Sequence, residues 1–387
     1  MARILMIAAE ASSVLYAEQL IRYWSSQGQS HQYFGVGSQS MERLGFHCLG
    51  YAESMAVMGF SEVLKHYSDI KNIFNKTLAA IDQEKPDVAV LLDYPGFNLR
   101  LSKELHERNI PVIYYISPQI WAWKKKRVYQ VKAYVTKMLV VFPFEVDFYK
   151  QYDVPVEYVG HPLLDELNPE YLDPTLLLAK RGRLGIQPQH KVLGLMPGSR
   201  KQEIERHLQV QLNVAEELTK KHPDLKVLLL VAPTLSKDYI QDQLENLKCP
   251  VVLLQDEPFK MIYLTDAILA ASGTATLMVG LLEKPMVIMY KMSWLSALIG
   301  RLVVKGFFGL VNLLAKREIV PEVFQEKATP GVLTPLVERA LYDDNYRRLV
   351  VEDLKALKQS LGTSGVTPRV AKAIETYFKV SHHNEGR

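Results

Sequence analysis

Two kinds of segment alternate along the chain: short, wholly apolar runs and longer stretches in which apolar residues recur at helical spacing. The run 88–92 is of the first kind, and its flanking Pro86 and Asp93 are typical of a strand that is buried on both faces. Regular alternation of such strands with helices predicts an α/β fold built on parallel sheets. The predicted strands are 3–9, 31–36, 88–92, 111–117, 137–142 and 156–160, then 192–196, 226–231, 250–255, 266–271 and 285–292.

The strands fall into two groups, which predicts two Rossmann-like domains. Between the groups, residues 165–190 carry prolines among short polar stretches, as linkers do. We expect an N-terminal domain at 1–164, a second domain at 165–345, and helices at 346–387 that pack back on the first domain or on a partner subunit. Paired domains of this kind are typical of nucleotide-sugar transferases and equally of sugar-nucleotide epimerases.

The composition is that of an ordinary globular protein and excludes several classes of function. A net charge of +4 argues against a dedicated nucleic-acid binder, although it suits contact with anionic lipid or phosphorylated substrates. Cys48 and Cys249 lack metal-ligand spacing, so neither a disulfide framework nor a metal site is expected. The first apolar run stops at Glu10, and no apolar segment approaches the roughly 18 residues that span a bilayer. We therefore expect a cytoplasmic protein that at most touches a membrane.

Asp93 is the first candidate for chemistry because it directly follows the strand 88–92. Open α/β sheets bind ligands beyond the carboxyl ends of their strands, and the Pro95-Gly96 turn would hold the carboxylate at that rim. A carboxylate in this position can act as a general base that takes a proton from a hydroxyl group. The alternative is a side chain that only caps the following turn.

Two small-residue loops in the second group indicate phosphate binding. In Pro197-Gly198-Ser199-Arg200, Ser199 and Gln202 fit a capping box, which would leave N-terminal amides and Arg200 facing an anion. Ser272-Gly273-Thr274 also ends a strand and opens a helix. Each loop alone is explained by an ordinary helix start, whereas two in one sheet favour a diphosphate site.

Three further segments are candidates for contact with lipid. Helical spacing over 60–81 predicts a helix that either packs on the sheet or offers an acyl-chain surface. Residues 294–315 are apolar but interrupted by basic residues, which predicts an interfacial helix. Trp121 and Trp123 stand beside basic residues and would contact phosphate or lipid headgroups, or else pack inside.

A series of ordered motifs, strong over residues 1–330 and weaker in the tail, resembles the lipid-A-disaccharide synthases. The motifs are Met58-Gly59, Asp93-Tyr94-Pro95-Gly96-Phe97-Asn98, Tyr115-Ile116-Ser117-Pro118, Trp121-Ala122-Trp123, Phe142-Pro143-Phe144-Glu145, Gly160-His161-Pro162, Pro197-Gly198-Ser199-Arg200, Ser272-Gly273-Thr274, Pro285-Met286-Val287 and Asn312-Leu313-Leu314. The resemblance implies a GT-B fold with the active-site cleft between its two domains.

The resemblance also implies a reaction and a location. UDP-2,3-diacylglucosamine would be joined to 2,3-diacylglucosamine 1-phosphate (lipid X), which releases UDP and forms a β-1,6 disaccharide with inversion and without a metal ion or other cofactor. The first domain would take the acceptor on the membrane side, and the second would take the UDP-sugar. The enzyme would be peripheral on the cytosolic face of the inner membrane, and a homodimer is a further expectation.

Residue by residue, the resemblance implies two catalytic groups, namely Asp93 as the base and Arg200 facing a diphosphate or phosphate. The predicted substrate-binding residues are Glu10, Ser12, Asn98, Ser117, Trp121, His161, Ser199, Ser272, Gly273, Thr274, Asn312 and Arg317. Of these, His161 has no partner visible in the sequence and is by itself more typical of a structural residue.

Three positions depart from the family pattern. Val14 stands where an Asp is usual, Gly96 where a second Asp is usual, and Met278 where a Glu is expected to bind the donor ribose. These differences leave open a paralogue with an altered donor, another GT-B lipid glycosyltransferase, and an acyl-sugar-binding protein without turnover.

Overall fold

The computed structural model describes residues 1–55, 67–121, 125–233, 235–244, 249–292 and 307–378. The chain divides into two compact units. Unit 1 comprises Met1–Asp165 together with the chain from Thr363 onward, and unit 2 comprises Glu166–Gly362. Each unit contains one parallel sheet and its surrounding helices. This architecture confirms the α/β fold class predicted from the alternating pattern.

Seven parallel strands form the sheet of unit 1. They are β1 (Arg3–Ala8), β2 (Gln32–Gly37), β3 (Phe46–Tyr51), β4 (Val88–Leu92), β5 (Val112–Tyr115), β6 (Lys137–Val140) and β7 (Val156–Tyr158). Their order is β3-β2-β1-β4-β5-β6-β7, so the direction of the winding reverses between β1 and β4. Ligands of open α/β sheets bind at such a switch point, beyond the carboxyl ends of the strands.

Six parallel strands form the sheet of unit 2. They are β8 (Val192–Met196), β9 (Lys226–Leu230), β10 (Val251–Leu254), β11 (Ala267–Ala271), β12 (Met286–Tyr290) and β13 (Glu322–Phe324). The order β10-β9-β8-β11-β12-β13 places the switch point between β8 and β11. The two predicted phosphate loops follow these two strands, and the topology therefore brings them to the same sheet edge.

Helices connect the strands in both units. In unit 1 they are α1 (Ala11–Ser26), α2 (Gln39–Glu42), α3 (Ala52–Met55), α4 (Tyr67–Glu84), α5 (Pro95–Glu107), α6 (Val128–Tyr134), α7 (Pro143–Lys150) and, before the switch to unit 2, α8 (Leu163–Glu166). Those that follow are α9 (Pro174–Arg183), α10 (Lys201–Lys221), α11 (Lys237–Asp242), α12 (Pro258–Tyr263), α13 (Ala275–Leu281), α14 (Leu310–Ala315), α15 (Pro330–Tyr342), α16 (Asp344–Ser360) and α17 (Val366–Glu375). Within the described residues, none of these helices is long and apolar enough to cross a membrane.

The strands β3 and β13 were missed by the sequence prediction. Both lie at an edge of their sheet, where one side of the strand has no neighbour. Their side chains are only partly buried, so neither segment needs the continuous apolar run by which a central strand is recognised. The central strand β4, in contrast, is buried at every position and was predicted with its observed bounds.

Part of the segment proposed for lipid contact has a structural role. In α4, Ile73, Phe74 and Ile81 pack into the core of unit 1, which is the sheet-packing alternative for the predicted helix 60–81. Residues 56–66, which include Met58-Gly59, lie outside the described residues, as do Trp123 and 293–306 of the predicted segment 294–315.

The C-terminal helices do not form one segment, which corrects the prediction for 346–387. Helix α16 belongs to unit 2, where its Leu354 and Leu357 are buried. Helix α17 returns to unit 1 and packs against α1, where the indole N–H of Trp24 donates to Glu375 over 2.9 Å. Both helices are amphipathic, and amphipathicity alone does not say which unit receives the apolar face.

A single carboxylate fixes where the returning helix begins. Asp165 Oδ1 accepts the backbone N–H groups of Gly365 at 2.6 Å and Val366 at 3.0 Å. Its Oδ2 accepts the backbone N–H and the hydroxyl of Thr367, at 2.8 and 2.9 Å. Because the first N–H groups of a helix have no intrahelical acceptor, this carboxylate satisfies donors that burial would otherwise leave unpaired.

We predict that Asp165→Ala loosens α17 selectively. The loss of a cap and of hydrogen bonds to a charged group should lower the local unfolding free energy of the helix by about 2–3 kcal/mol. Amide hydrogen exchange over 366–375 measures this change. The matched control is Asp173→Ala, which removes a single exposed cap bond to the N–H of Thr175. Exchange over 366–375 that is equal in the two variants would contradict the anchoring role.

Candidate active site

Asp93 sits in a strained turn at the carboxyl end of β4. Asp93 and the next residue, Tyr94, have φ angles of 46° and 44°, the left-handed region that residues with a side chain rarely enter. Hydrogen bonds hold the turn: the Asn98 amide donates to the carbonyl of Asp93 at 2.7 Å, and the Tyr114 hydroxyl donates to the same oxygen at 2.5 Å. Strain of this kind persists only where the surroundings impose it, and it is concentrated at functional sites.

The environment of Asp93 raises the pKa of its carboxyl group. Burial and the nearby charge of Glu10 raise the pKa of Asp93 to about 7, opposed in part by a backbone hydrogen bond from Tyr94. Glu10 follows β1, which pairs with β4, so the two carboxyl groups belong to neighbouring strand ends. A base whose pKa lies near the working pH combines a populated basic form with a useful driving force for proton transfer. The structure therefore brings Glu10 and Asp93 to neighbouring positions on one sheet edge.

Ser12 and Asn98 differ in what they offer a ligand. Ser12 is exposed in the first turn of α1, on the side of the sheet edge where Glu10 lies. Asn98 is fully buried, and its amide nitrogen donates to the carbonyls of Leu92 and Asp93. Its role in this structure is to hold the turn that carries Asp93.

A second strained residue ends the neighbouring strand β5. Ile116 has a φ of 65°, which is unusual for a β-branched side chain. It precedes Ser117, whose hydroxyl is buried and hydrogen-bonded to the Tyr149 hydroxyl at 2.7 Å. The predicted substrate-binding residue Ser117 is thus engaged inside the protein.

Trp121 and His161 lie in an aromatic cluster beyond the ends of β5, β6 and β7. The Trp121 ring packs edge-to-face on Phe144 with ring centroids 4.9 Å apart, and His161 lies 5.3 Å from Phe142. His161 is buried, which lowers its pKa to about 3, and its Nδ1 accepts the N–H of Leu163. This imidazole is neutral and holds a loop, as the lone histidine suggested, while Trp121 remains partly exposed.

Unit 2 contains a pocket of about 420 Å³ at the carboxyl ends of β8 and β11. Its volume lies within the range of small-molecule sites. The lining includes the predicted residues Ser199, Arg200, Ser272, Gly273 and Thr274. The two loops therefore meet in one pocket. Met278, one of the departures from the family pattern, lines it as well.

The start of α10 differs from the predicted capping box, which was wrong. The helix begins at Lys201, and the carboxylate of Glu203, not Gln202, accepts the N–H groups of Ser199 at 2.8 Å and Arg200 at 3.3 Å. The turn requires Gly198, with a φ of 130°, because a Cβ there would lie 2.6 Å from Cβ of Glu203. Amides that the sequence predicted to face an anion are occupied by this internal carboxylate.

Arg200 keeps its freedom to reach a ligand. Its side chain is 49% exposed, and its ion pair with Glu203 is 3.3 Å long. Because the guanidinium is half in solvent, the pair contributes little stability, and an incoming anion competes with a weak interaction. On the other side of the pocket, Gly273 and Thr274 are exposed, and the Ser272 hydroxyl donates to the carbonyl of Phe308 at 3.0 Å.

Asn312 and Arg317 were predicted near the donor, and the structure gives both other partners. Asn312 is fully buried: its Oδ1 accepts the N–H groups of residues 319 and 320, and its amide nitrogen donates to Glu322 and to the carbonyl of Val320. Arg317 pairs with Asp353 of α16. Asn312 therefore holds this part of unit 2 together, and contact with a donor would require its bonds to break, whereas Arg317 forms a largely exposed ion pair.

Sequence reasoning assigned no role to Tyr114, Glu145, Glu203 or Glu322, although Glu145 lies in one of the quoted motifs. Glu322 accepts the N–H groups of Phe308 and Gly309, and so anchors the segment whose carbonyl receives the Ser272 hydroxyl. The sequence offered a signal for Glu203 alone, at the third position of a helix whose N-cap is Arg200. The others lie 13 to 24 residues from partners that only the folded chain brings close.

Solved structures with the same fold include glycosyltransferases and sugar-nucleotide epimerases. The calicheamicin glycosyltransferase CalG4 matches with a TM-score of 0.64 at 15% identity, over 97% of this chain and 98% of that one. The UDP-GlcNAc 2-epimerase from Neisseria meningitidis, bound to UDP-GlcNAc, matches with a TM-score of 0.63 at 13% identity, over 97% and 100%. At such identities the likeness establishes the fold, which is GT-B.

Sequence relatives are more specific. The family model described as lipid-A-disaccharide synthetase matches residues 4–362. The lipid-A-disaccharide synthase of Syntrophotalea carbinolica is 37% identical over 96% of this chain and 94% of its own length. That of Myxococcus xanthus is 36% identical over 96% of each chain. The chain therefore belongs to the lipid-A-disaccharide synthase family and is a glycosyltransferase of lipid A biosynthesis.

Proposed function

We propose that this glycosyltransferase joins UDP-2,3-diacylglucosamine to lipid X, with Asp93 as the general base and the unit 2 pocket as the UDP site. The observation that carries the proposal is the strained, half-buried carboxylate of Asp93, whose pKa of about 7 suits proton abstraction near neutral pH. Structural carboxylates seldom combine backbone strain, burial and a second nearby carboxylate at a switch point.

The reaction is a single displacement. Asp93 takes the proton of the acceptor hydroxyl, the hydroxyl oxygen bonds to the anomeric carbon of the donor, and the bond from that carbon to UDP breaks. Attack from the face opposite UDP inverts the anomeric centre and gives the β-1,6 linkage. The proton remains on Asp93, and UDP leaves with the electron pair of the broken bond.

Charge on the departing diphosphate has to be stabilised. Arg200 presents a planar, permanently charged guanidinium that suits bidentate contact with phosphate oxygens. It lies in the pocket opposite the exposed Gly273 and Thr274, whose backbone a phosphate can approach closely. We propose that the diphosphate draws Arg200 away from Glu203, because a doubly charged ligand attracts the guanidinium more strongly than a single carboxylate does.

We further propose that the protein acts at the cytosolic face of the inner membrane as a peripheral protein. Both substrates carry acyl chains, and a net charge of +4 favours contact with anionic headgroups. We also propose that the protein is a homodimer. Co-sedimentation with anionic vesicles at low and high salt tests membrane binding, and sedimentation equilibrium tests dimer formation.

Release of UDP tests the proposed reaction directly. Purified protein is given UDP-2,3-diacylglucosamine with and without lipid X, in detergent, with EDTA present. The proposal requires release that depends on lipid X and survives EDTA. Release without lipid X indicates hydrolysis of the donor, and conversion of the UDP-sugar to an isomer without release indicates an epimerase. Binding of lipid X without any reaction indicates a protein that does not turn over.

We predict that Asp93→Asn abolishes turnover and leaves the fold intact. The amide has the same shape but cannot take the proton, so kcat should fall by about 10²- to 10⁴-fold. Initial rates of UDP release and circular dichroism measure the two effects. The control is Asp147→Asn, an exposed aspartate on α7. Unchanged kcat in Asp93→Asn would rule out the general-base role.

We predict that Glu10→Gln moves the pH profile of kcat/KM to lower pH. The active form of Asp93 is the carboxylate, so activity is lost as the pH falls through about 7. Removing the Glu10 charge favours ionisation of Asp93 and lowers its pKa. The control is Glu107→Gln at the far end of α5, where an exposed ion pair with Lys103 is lost instead. An acid limb that does not move in Glu10→Gln would contradict the coupling.

We predict that Arg200→Ala lowers kcat/KM for the UDP-sugar by about 100-fold, because one preorganised contact to the developing charge is lost. Inhibition by the product UDP should weaken in parallel. The control is Lys201→Ala, whose neighbouring ammonium lies over the Tyr239 ring at 5.1 Å. Equal losses in the two variants would show that general positive charge, and not Arg200, is responsible.

A further inference from the structure

Glu145 is a buried carboxylate that the reaction described above does not use. It stands at the third position of α7 and is only 1% exposed. Its Oε2 accepts the N–H of Phe142 at 3.1 Å, which satisfies a donor at the start of the helix. Capping of the helix is a sufficient reason for the hydrogen bond to this oxygen.

The second oxygen of Glu145 has a different partner. Oε1 accepts the indole N–H of Trp121 at 3.2 Å, across 24 residues of sequence. A cap does not require this bond, and a glutamine could supply the cap as well as a glutamate does. Glutamine, however, has an NH₂ group in place of one oxygen, so it cannot repeat an arrangement in which each oxygen accepts one N–H group. The carboxylate is therefore the group that serves the helix start and the indole at once.

Trp121 is held in a defined place by these contacts. The indole N–H bond fixes one edge of the ring, and the edge-to-face contact with Phe144 at 4.9 Å fixes its plane. Trp121 follows β5, the strand beside β4, and the N–H of Asp93 donates to the carbonyl of Tyr115 on that strand. The partly exposed ring thus lies on the sheet edge that carries the candidate base.

We propose that Glu145 is a positioning residue that holds Trp121 as part of the binding surface for the acylated acceptor sugar. The inference rests on the proposed function, in which Asp93 acts on the acceptor hydroxyl. Aromatic faces bind the apolar faces of organic ligands, while a few placed polar groups fix their orientation. Glu145 has no contact with the acceptor in this scheme and acts through the ring of Trp121.

Two variants and their combination test the inference. Glu145→Gln retains the shape of the side chain but leaves one N–H group without an acceptor. Trp121→Phe retains an aromatic ring and the helix cap but removes the indole N–H. Each should raise the KM for lipid X by about 10-fold, with kcat and the KM for the UDP-sugar changed by less than about 2-fold. The double variant should be no worse than the worse single variant, since both changes break the same bond.

The chain offers a matched control in the same unit. Trp24 donates its indole N–H to Glu375 at 2.9 Å, between α1 and α17. Glu375→Gln perturbs a tryptophan–carboxylate pair of the same chemistry and should leave all three kinetic constants unchanged.

Three results overturn the inference. The first is an equal loss of activity toward both substrates that matches the fraction of unfolded protein. The second is a KM for lipid X in the double variant that equals the product of the two single effects. The third is an unchanged KM for lipid X in Trp121→Phe. The last result is decisive even when Glu145→Gln fails to fold, because Trp121→Phe leaves the cap in place.

A binding measurement separates this inference from the proposed reaction. Lipid X is titrated into wild type and Trp121→Phe without donor, and the difference in tryptophan fluorescence reports the surroundings of Trp121. A wild-type protein that releases no UDP overturns the proposed function. A change in the difference signal that depends on lipid X still supports the positioning role, provided that the affinity for lipid X is about 10-fold weaker in Glu145→Gln and unchanged in Glu375→Gln. No change in the signal overturns the role.

Discussion

The left-handed turn at Asp93 and Tyr94 is the constraint on which the chemistry of unit 1 depends. Each residue in this conformation costs roughly 1–2 kcal/mol. The hydrogen bonds from Asn98 and Tyr114 to the carbonyl of Asp93 offset this cost. The turn holds the residue at the strand end, where burial and the charge of Glu10 raise its pKa to about 7.

Two carboxyl groups on the same sheet edge have different roles because their neighbouring groups differ. Burial raises the pKa of both Asp93 and Glu145 to about 7. Glu145 accepts hydrogen bonds from the N–H groups of Phe142 and Trp121 and from the Ser117 side chain, so its carboxylate serves structural partners. Asp93 has a second carboxyl group, Glu10, beside it, and repulsion makes proton uptake more favourable. Similar pKa values thus accompany a positioning group in one case and a candidate base in the other.

Unit 2 also has its candidate site at the switch point of its sheet, but the residues there have a different chemistry. Its pocket presents Arg200 and an exposed loop in place of a carboxylate, which suits a substrate group of opposite charge. Glu203 satisfies the amides at the start of α10 and pairs weakly with Arg200, so the site is neutralised by the protein itself. A ligand that displaces this carboxylate gains a half-exposed guanidinium that is held by one ion pair of 3.3 Å.

The sequence by itself determined the fold class, the family and the strand ends at which Asp93, Ser199 and Ser272 lie. Apolar runs and turn residues are local signals, and a buried parallel strand needs both. Tertiary structure decided which polar atoms remain available: Asn312 is committed within the protein, and α17 returns to Asp165 across 200 residues of sequence. Local patterns cannot reveal such partners, because hydrogen bonds between distant segments exist only after the sheets have formed.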